Sequence, residues 1–221
     1  LTADTRWQVL AQQVLMARMT LPAELISGLA NPGPALLSQM QSFALLKSRQ
    51  LQQDPTLTNA ELARLNQPRL PYNLDAWDGY PAERERILAH AQALGKKLLV
   101  LAGDTHNSWA SHLNLSDGTA VGVELATSSV TSPGLEQYIN LPDRDAAVAT
   151  EAGLVQLVPG LQYANLYDRG FMLLTFSPTE LHCDWFYVDD IKHSTAALLP
   201  QRQQRATVAF NDTAPRLTLS N

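Results

Sequence analysis

Several features are scarce or missing, and each narrows the reading. No stretch of about eighteen apolar residues occurs, so nothing in the chain reads as a membrane-spanning helix. A single cysteine, Cys183, excludes an internal disulfide and leaves the redox compartment open; it reads as a packed side chain rather than a reactive one. Basic excess is also missing. With 16 Lys and Arg against 21 Asp and Glu, the net charge of −5 argues against a nucleic-acid surface, which shows as a basic stripe or patch. There is no internal repeat and no low-complexity segment. Ser128, Ser129 and Thr131 in "TSSVTSPG" have no G-x-S-x-G elbow around them, which argues against a serine nucleophile there and leaves them to line a cleft through backbone groups. The opening "LTADTRWQVLAQQVLM" has no signal-peptide pattern, and both a compact domain and the second half of a longer protein begin this way.

What is present suits an α/β core. At 221 residues the chain matches one domain or a large part of one. Residues Arg6 to Met16 alternate around Trp7, Val9, Ala11 and Leu15, the period of a strand. After the "NPGP" break at 31–34, Ala35 to Leu51 carries Leu36, Leu37, Met40, Phe43 and Ala44 at helical spacing. A short helix follows at Ala60–Leu65, with Thr58 or Asn59 as its cap. "NQPRLPYNLDAWDGYP" reads as a long ordered loop. Pro81 opens a helix whose apolar face is Ile87, Leu88, Ala91 and Leu94, and Gly95 stops it.

"KKLLVLAG" is a continuous apolar run, the mark of a strand covered on both faces. Two hairpins are expected beyond it: "WASHLNL" with "TAVGVELA" around "SDG", then "GFMLLTF" with "LHCDWFYV" across "SPTE". A loop and a short helix lie between them. Asp168 and Arg169 read as turn residues. His182 and His193 read as structural, His90 as solvent-facing, and His112 as exposed or supporting a site from behind.

The chemistry concentrates where that apolar strand ends, at "AGDTHNSW". In an open α/β sheet, ligands bind beyond the carboxyl ends of strands. If the segment stays extended, Asp104 and His106 share a face, because side chains two apart do. A hard oxygen donor beside an imidazole suits a hydrolytic metal centre. The plainer alternative is that Asp104 caps the next turn and His106 hydrogen-bonds a carbonyl. Asp75 and Asp78 in "LDAWDGYP" either approach this site or serve the turn before Pro81. Asn107 beside them is a candidate for contacting a bound ligand or metal, or for supporting the site from behind.

Five segments in order resemble the PhoD-like alkaline phosphatases, a branch of the calcineurin-like metallophosphoesterases: "RWQVLAQQVLM", "DAWDGYPAERERIL", "VLAGDTHNSWASHL", "VGVELATSSVTSPGL" and "DRGFMLLTFSPTELHCDWFYV". The second to fourth are the specific ones. The resemblance implies part of a four-layer α/β/β/α sandwich with mixed sheets and C-terminal antiparallel hairpins. It also implies a metal-dependent phosphomonoesterase or phosphodiesterase acting on a phosphate ester, with calcium and iron, or other divalent ions, as the metals. By it, Gly103, Asp104 and His106 stand where the superfamily has its last G-H-x-H motif, aspartate replacing the first histidine, so Asp104 and His106 carry over as metal ligands.

The earlier superfamily motifs, an acidic pair, G-D and G-N-H, do not occur upstream in this chain. On that comparison residues 1–221 are the C-terminal part of such a domain, with 20–80 as a helical and loop insertion. The upstream segment of the same protein would supply the other ligands, no catalytic residue is assigned within this chain, and the chain alone is expected to be incomplete and inactive. Relatives of this kind are periplasmic or secreted, often through the twin-arginine route. Two competing readings remain: a non-catalytic scaffold or binding fragment with an incomplete metal site, and an unrelated α/β domain with a chance G-D-x-H.

Overall fold

The computed structural model describes residue 5 and residues 7–30, 32–210 and 215–220. In chain order, β1 (Gln8–Ala11) and β2 (Thr20–Pro22) precede three helices, α1 (Ala23–Ala30), α2 (Pro34–Leu51) and α3 (Asn59–Leu65). Then come β3 (Arg69–Pro71), a 3-10 turn at Trp77–Gly79, α4 (Pro81–Ala93), β4 (Leu98–Ala102), β5 (Ser108–Asn114) and β6 (Ala120–Ala126). The chain continues through α5 (Leu135–Tyr138), α6 (Arg144–Leu157), β7 (Leu161–Asn165), β8 (Arg169–Phe176), β9 (Glu180–Val188), β10 (Gln204–Phe210) and β11 (Pro215–Ser220).

Two sheets stack face to face. The larger runs β1-β4-β6-β5-β7, with β1, β4 and β6 parallel and β5 antiparallel to both its neighbours. The second is antiparallel throughout, in the order β11-β10-β9-β8. Alternation along β4 explains why it reads as continuously apolar: Leu99 faces the second sheet, where Cys183, Trp185 and Tyr187 are fully buried, while Leu98 and Val100 face the helices. On the helix side, α1, α2, α3 and α6 share one apolar cluster with Trp109 and Ala126, and Leu88 and Ala91 of α4 meet Leu98, Val100 and Leu113. The result is helices, sheet, sheet.

Several expectations hold. Thr58 caps α3 with a full capping box, its hydroxyl accepting from the Glu61 N–H while the Glu61 carboxylate accepts from the Thr58 N–H. α4 begins at Pro81 and is closed by Gly95, whose φ of +60° is the left-handed conformation glycine takes without strain. Cys183 is buried, and burial pushes its thiol well above the ordinary value.

Others need correction. The first strand covers Gln8–Ala11 only, and Arg6 lies outside the described residues, as does Asn31 of the "NPGP" break. The chain leaves the sheet after Ala11 because Leu15 and Met16 turn into the cores beneath the helices. Val9 stands 45% exposed, because β1 is an edge strand with nothing described on its outer side. Leu94 is exposed past the end of α4, and the buried residues on that helix include Arg84. The first hairpin lies in the same sheet as β1 and β4, since β6 inserts beside β4, and only the second hairpin belongs to the other sheet. The region between the hairpins holds a 14-residue helix, α6, and a strand, β7, in place of the single short helix expected. The last two strands, β10 and β11, lie outside any expectation from the sequence pattern.

Candidate functional site

The parallel strands β1, β4 and β6 end together, and backbone hydrogen bonds tie their exits. Gln12 donates to Leu101 O at 3.0 Å, Gly103 to Gln13 O at 3.0 Å, and Thr127 to Ala102 O at 3.1 Å. From β4 the chain does not stay extended. His106 N–H donates back to Gly103 O at 3.1 Å, closing a turn, and His106 takes a φ of +57°. Left-handed backbone is uncommon for a residue with a side chain and costs roughly 1–2 kcal/mol. The expectation that Asp104 and His106 project side by side from an extended strand is therefore corrected: they sit within one turn. Trp109 Nε1 fastens that turn by donating to Thr105 Oγ1 at 3.1 Å.

His106 Nδ1 lies 2.7 Å from Pro133 O. A carbonyl only accepts, so Nδ1 carries a proton, and in the neutral ring Nε2 then keeps its lone pair. Asp104 is exposed and has no hydrogen-bond or ion-pair partner among the described residues. Asn107 is 1% exposed and engaged at both ends of its amide, donating to Leu166 O at 2.8 Å and accepting from Leu135 N–H at 3.1 Å. It therefore splices the start of β5 to the loop that carries Pro133. Ser128, just past β6, is buried with its backbone N–H on Ser108 Oγ, and its own hydroxyl has no partner among the described residues.

The acidic loop is near but differently employed. Trp77 Nε1 donates to Gln12 Oε1 at 3.2 Å, which brings the loop to the exit of β1. Asp78 accepts from Met19 N–H at 2.7 Å, and burial raises its pKa against the lowering pull of that bond and of Arg84 and Arg18. Asp75 is exposed, and its backbone N–H donates to Asn73 Oδ1 at 2.9 Å. No three His, Cys, Asp or Glu side chains come close enough to share an ion among the described residues, so neither aspartate joins Asp104 and His106 in a cluster of that size.

Two buried charge clusters escaped the sequence. Glu124, in the middle of β6, accepts from Met16 N–H at 2.6 Å and Ala17 N–H at 2.9 Å, while Arg84 donates to Met16 O at 2.6 Å and Asn114 O at 3.1 Å. Together they grip the segment that follows β1. Burial pushes Glu124 up to about 7, opposed by the two N–H donors and Arg84.

The second cluster corrects the assignment of Asp168 and Arg169 as turn residues. Asp168 is 2% exposed and accepts from Arg144 at 2.7 Å, Arg202 at 2.6 Å and Asn165 at 2.9 Å. Burial alone would raise its pKa, but hydrogen bonds from Arg144 and Arg202 outweigh it and hold the carboxyl below the ordinary value. Arg202 also bridges to Glu151 at 2.9 Å, and Arg169 pairs with Glu136. A cavity of about 540 Å³ opens beside this cluster, lined by Glu136, Arg144, Tyr167, Arg169 and Asp190 among others. His112 is half-buried, and its pKa is lowered by burial.

A mixed sheet with a strained turn at its carboxyl edge, backed by a second sheet, is the frame that the comparisons bear on. The family model described as PhoD-like phosphatase matches residues 1–185, and the chain belongs to that family. This removes the reading of an unrelated domain with a chance motif. Among curated proteins, alkaline phosphatase D of Bacillus subtilis (strain 168) is 31% identical over 132 residues, covering 58% of this chain and 21% of that protein. A solved structure described as "Structure of PhoD" superposes with a TM-score of 0.58 at 21% identity, over 100% of this chain and 33% of that one. The chain thus spans about a fifth of the curated relative and a third of the solved one. No described helix is long and apolar enough to cross a membrane.

Proposed function

We propose that the chain is the part of a PhoD-like phosphoester hydrolase that supplies the last metal-binding motif, Asp104 and His106. The observation that carries this reading is the state of His106: at the exit of a parallel strand, strained into left-handed backbone, with Nδ1 spent on Pro133 O and Nε2 free. Metal-ligating histidines characteristically donate their second ring N–H to a carbonyl or carboxylate, which fixes tautomer and orientation. Strained backbone at a site exit points the same way. Asp104 adds an exposed carboxylate with no partner to give up.

Two donors fit part of a cage and not the whole of one. Iron suits the imidazole together with a carboxylate, and calcium suits the carboxylate. When bound, such ions supply Lewis acidity toward the phosphoryl oxygens and lower the pKa of water. The chain's own contribution is to hold His106 with its lone pair outward, to keep Asp104 exposed and unpaired, and to shape the rim with the backbone of 127–134.

The remaining donors come from polypeptide upstream of this chain in the intact enzyme. Supporting this, Gln8 and Gln12 N–H groups donate to Lys97 O and Leu101 O, so alternation turns the Val9 and Ala11 backbone groups to the open side of β1, beside a groove of about 700 Å³ against α4. The intact protein completes the four-layer sandwich, takes phosphate monoesters or diesters as substrate, and works after export.

Replacing His106 with Ala in the full-length enzyme should cut hydrolysis of p-nitrophenyl phosphate and of its bis-ester by at least about 100-fold. Near-native turnover would end the assignment.

The scaffold reading keeps one observation in its favour, the lack of any three-donor cluster among the described residues. Metal content separates the two. The chain supplied with its upstream segment should gain tightly bound metal and hydrolytic activity; a scaffold would gain neither.

A further inference from the structure

We propose that Glu136, held by Arg169, is a positioning residue that sets the ring of His106 through the Pro133–Gly134 segment. The inference rests on the reading of His106 as a ligand and adds the device that aims it. Pro133 O fixes the histidine tautomer, yet proline has no N–H with which to anchor its own carbonyl. The anchor falls to the next residue: Gly134 N–H donates to Glu136 Oε2 at 3.0 Å and Oε1 at 3.3 Å.

Glu136 is only 7% exposed, and a carboxylate so far from water needs a partner. Arg169 is that partner, itself 8% exposed and pinned by a bond from Nη1 to Tyr167 O at 2.9 Å. Gly170 N–H donates to Ser129 O at 3.1 Å, so the start of β8 holds the loop at two points. The segment is also packed too tightly for a side chain. A Cβ on Gly134 would stand 2.5 Å from Asn107 Nδ2 and 2.8 Å from His106 O. A four-residue helix such as α5 gains little from a buried ion pair at its first turn, whereas a catalytic rim gains a fixed carbonyl.

The tautomer is directly readable without any metal. In the 15N-labelled full-length enzyme freed of metal, long-range proton–nitrogen spectra should show His106 as a single species protonated at Nδ1. Glu136→Ala should turn it into a mixture of tautomers while the other four of the chain's five histidines keep their signals. Glu136→Gln, which keeps an acceptor for Gly134 N–H, should restore the single species. In the full-length enzyme, Glu136→Ala should lower kcat about 10- to 100-fold, the usual cost of removing a ligand's supporting partner, with Glu136→Gln closer to the parent.

If Glu136→Ala does not fold, Glu136→Asp serves the same purpose, because it keeps the charge for Arg169 and withdraws the oxygen from Gly134. A folded variant that retains pure Nδ1–H His106 would overturn the inference and leave the ligand reading standing. A His106→Ala enzyme with full activity would overturn the ligand reading itself.

Discussion

Asp168 and Asp104 are both aspartates at strand boundaries, one just before β8 and the other just after β4, and they meet opposite surroundings. Asp168 is buried and has both oxygens committed to Arg144, Arg202 and Asn165. Asp104 is exposed with both oxygens uncommitted among the described residues. Its neighbour His106 spends one nitrogen and keeps the other. Charge in the first region is consumed by the fold, and charge in the second is held in reserve. Function should be sought where donors are placed but unspent, because a saturated cluster has nothing left to offer a ligand.

That contrast can be attacked in order of effect. Asp168→Ala should destabilise the chain by about 3–5 kcal/mol in urea unfolding, since it removes the buried acceptor shared by Arg144, Arg202 and Asn165 and leaves the largely buried Arg202 with Glu151 alone. A small loss would mean that the cluster is better solvated than its burial implies.

The next largest effect is a pH slope from a second buried carboxylate, Glu124. Glu124 sits at about 7 in the folded chain against an ordinary 4.5, so the folded state holds a proton that the unfolded state has released across that window. Its contribution is present below 4.5 and is lost as the pH rises through about 7, at roughly 1.4 kcal/mol per pH unit at most. Glu124→Gln should flatten the urea midpoint over that range. Asp168 has the opposite sign: held below 3.8, it contributes above that pH and is lost as acid is added.

Changes in the turn should hardly register on stability. His106→Asn should shift unfolding by less than about 1 kcal/mol, because asparagine tolerates left-handed backbone. Asp104→Asn should stay within about 0.5 kcal/mol, as exposed substitutions do. Both should still impair hydrolysis in the full-length enzyme. A turn variant that unfolded the chain as badly as Asp168→Ala would dissolve the distinction between the two regions.

How legible this was follows from sequence separation. Helices α2, α3 and α4, strand β4 and both hairpins show themselves because their signals are local: apolar spacing, a cap at Thr58, Pro81 at a helix start, Gly95 at its end. The place of the candidate site was legible too, as a strand exit carrying Asp and His. The turn geometry was not. Nothing in "GDTH" announces left-handed backbone at His106, which is set by Gly103 O and by a carbonyl 27 residues away. The Asp168 cluster joins residues 24 and 34 positions distant, and Glu124 reaches a backbone 108 positions upstream, so periodicity has no access to either. Strands β7 and β10 are different cases. β7 alternates only weakly and its pairing with β5 decides it, whereas β10 does alternate, Ala206 and Val208 being buried and Arg205 exposed, so its signal was local.

The open flank of β1 has a practical side. From Gln8 to Ala11 it carries no charge and no proline, the usual guards against edge-to-edge adhesion. Kept in solution without a covering strand, this protein should clump as its concentration rises, and a lysine in place of Val9 should keep it dispersed.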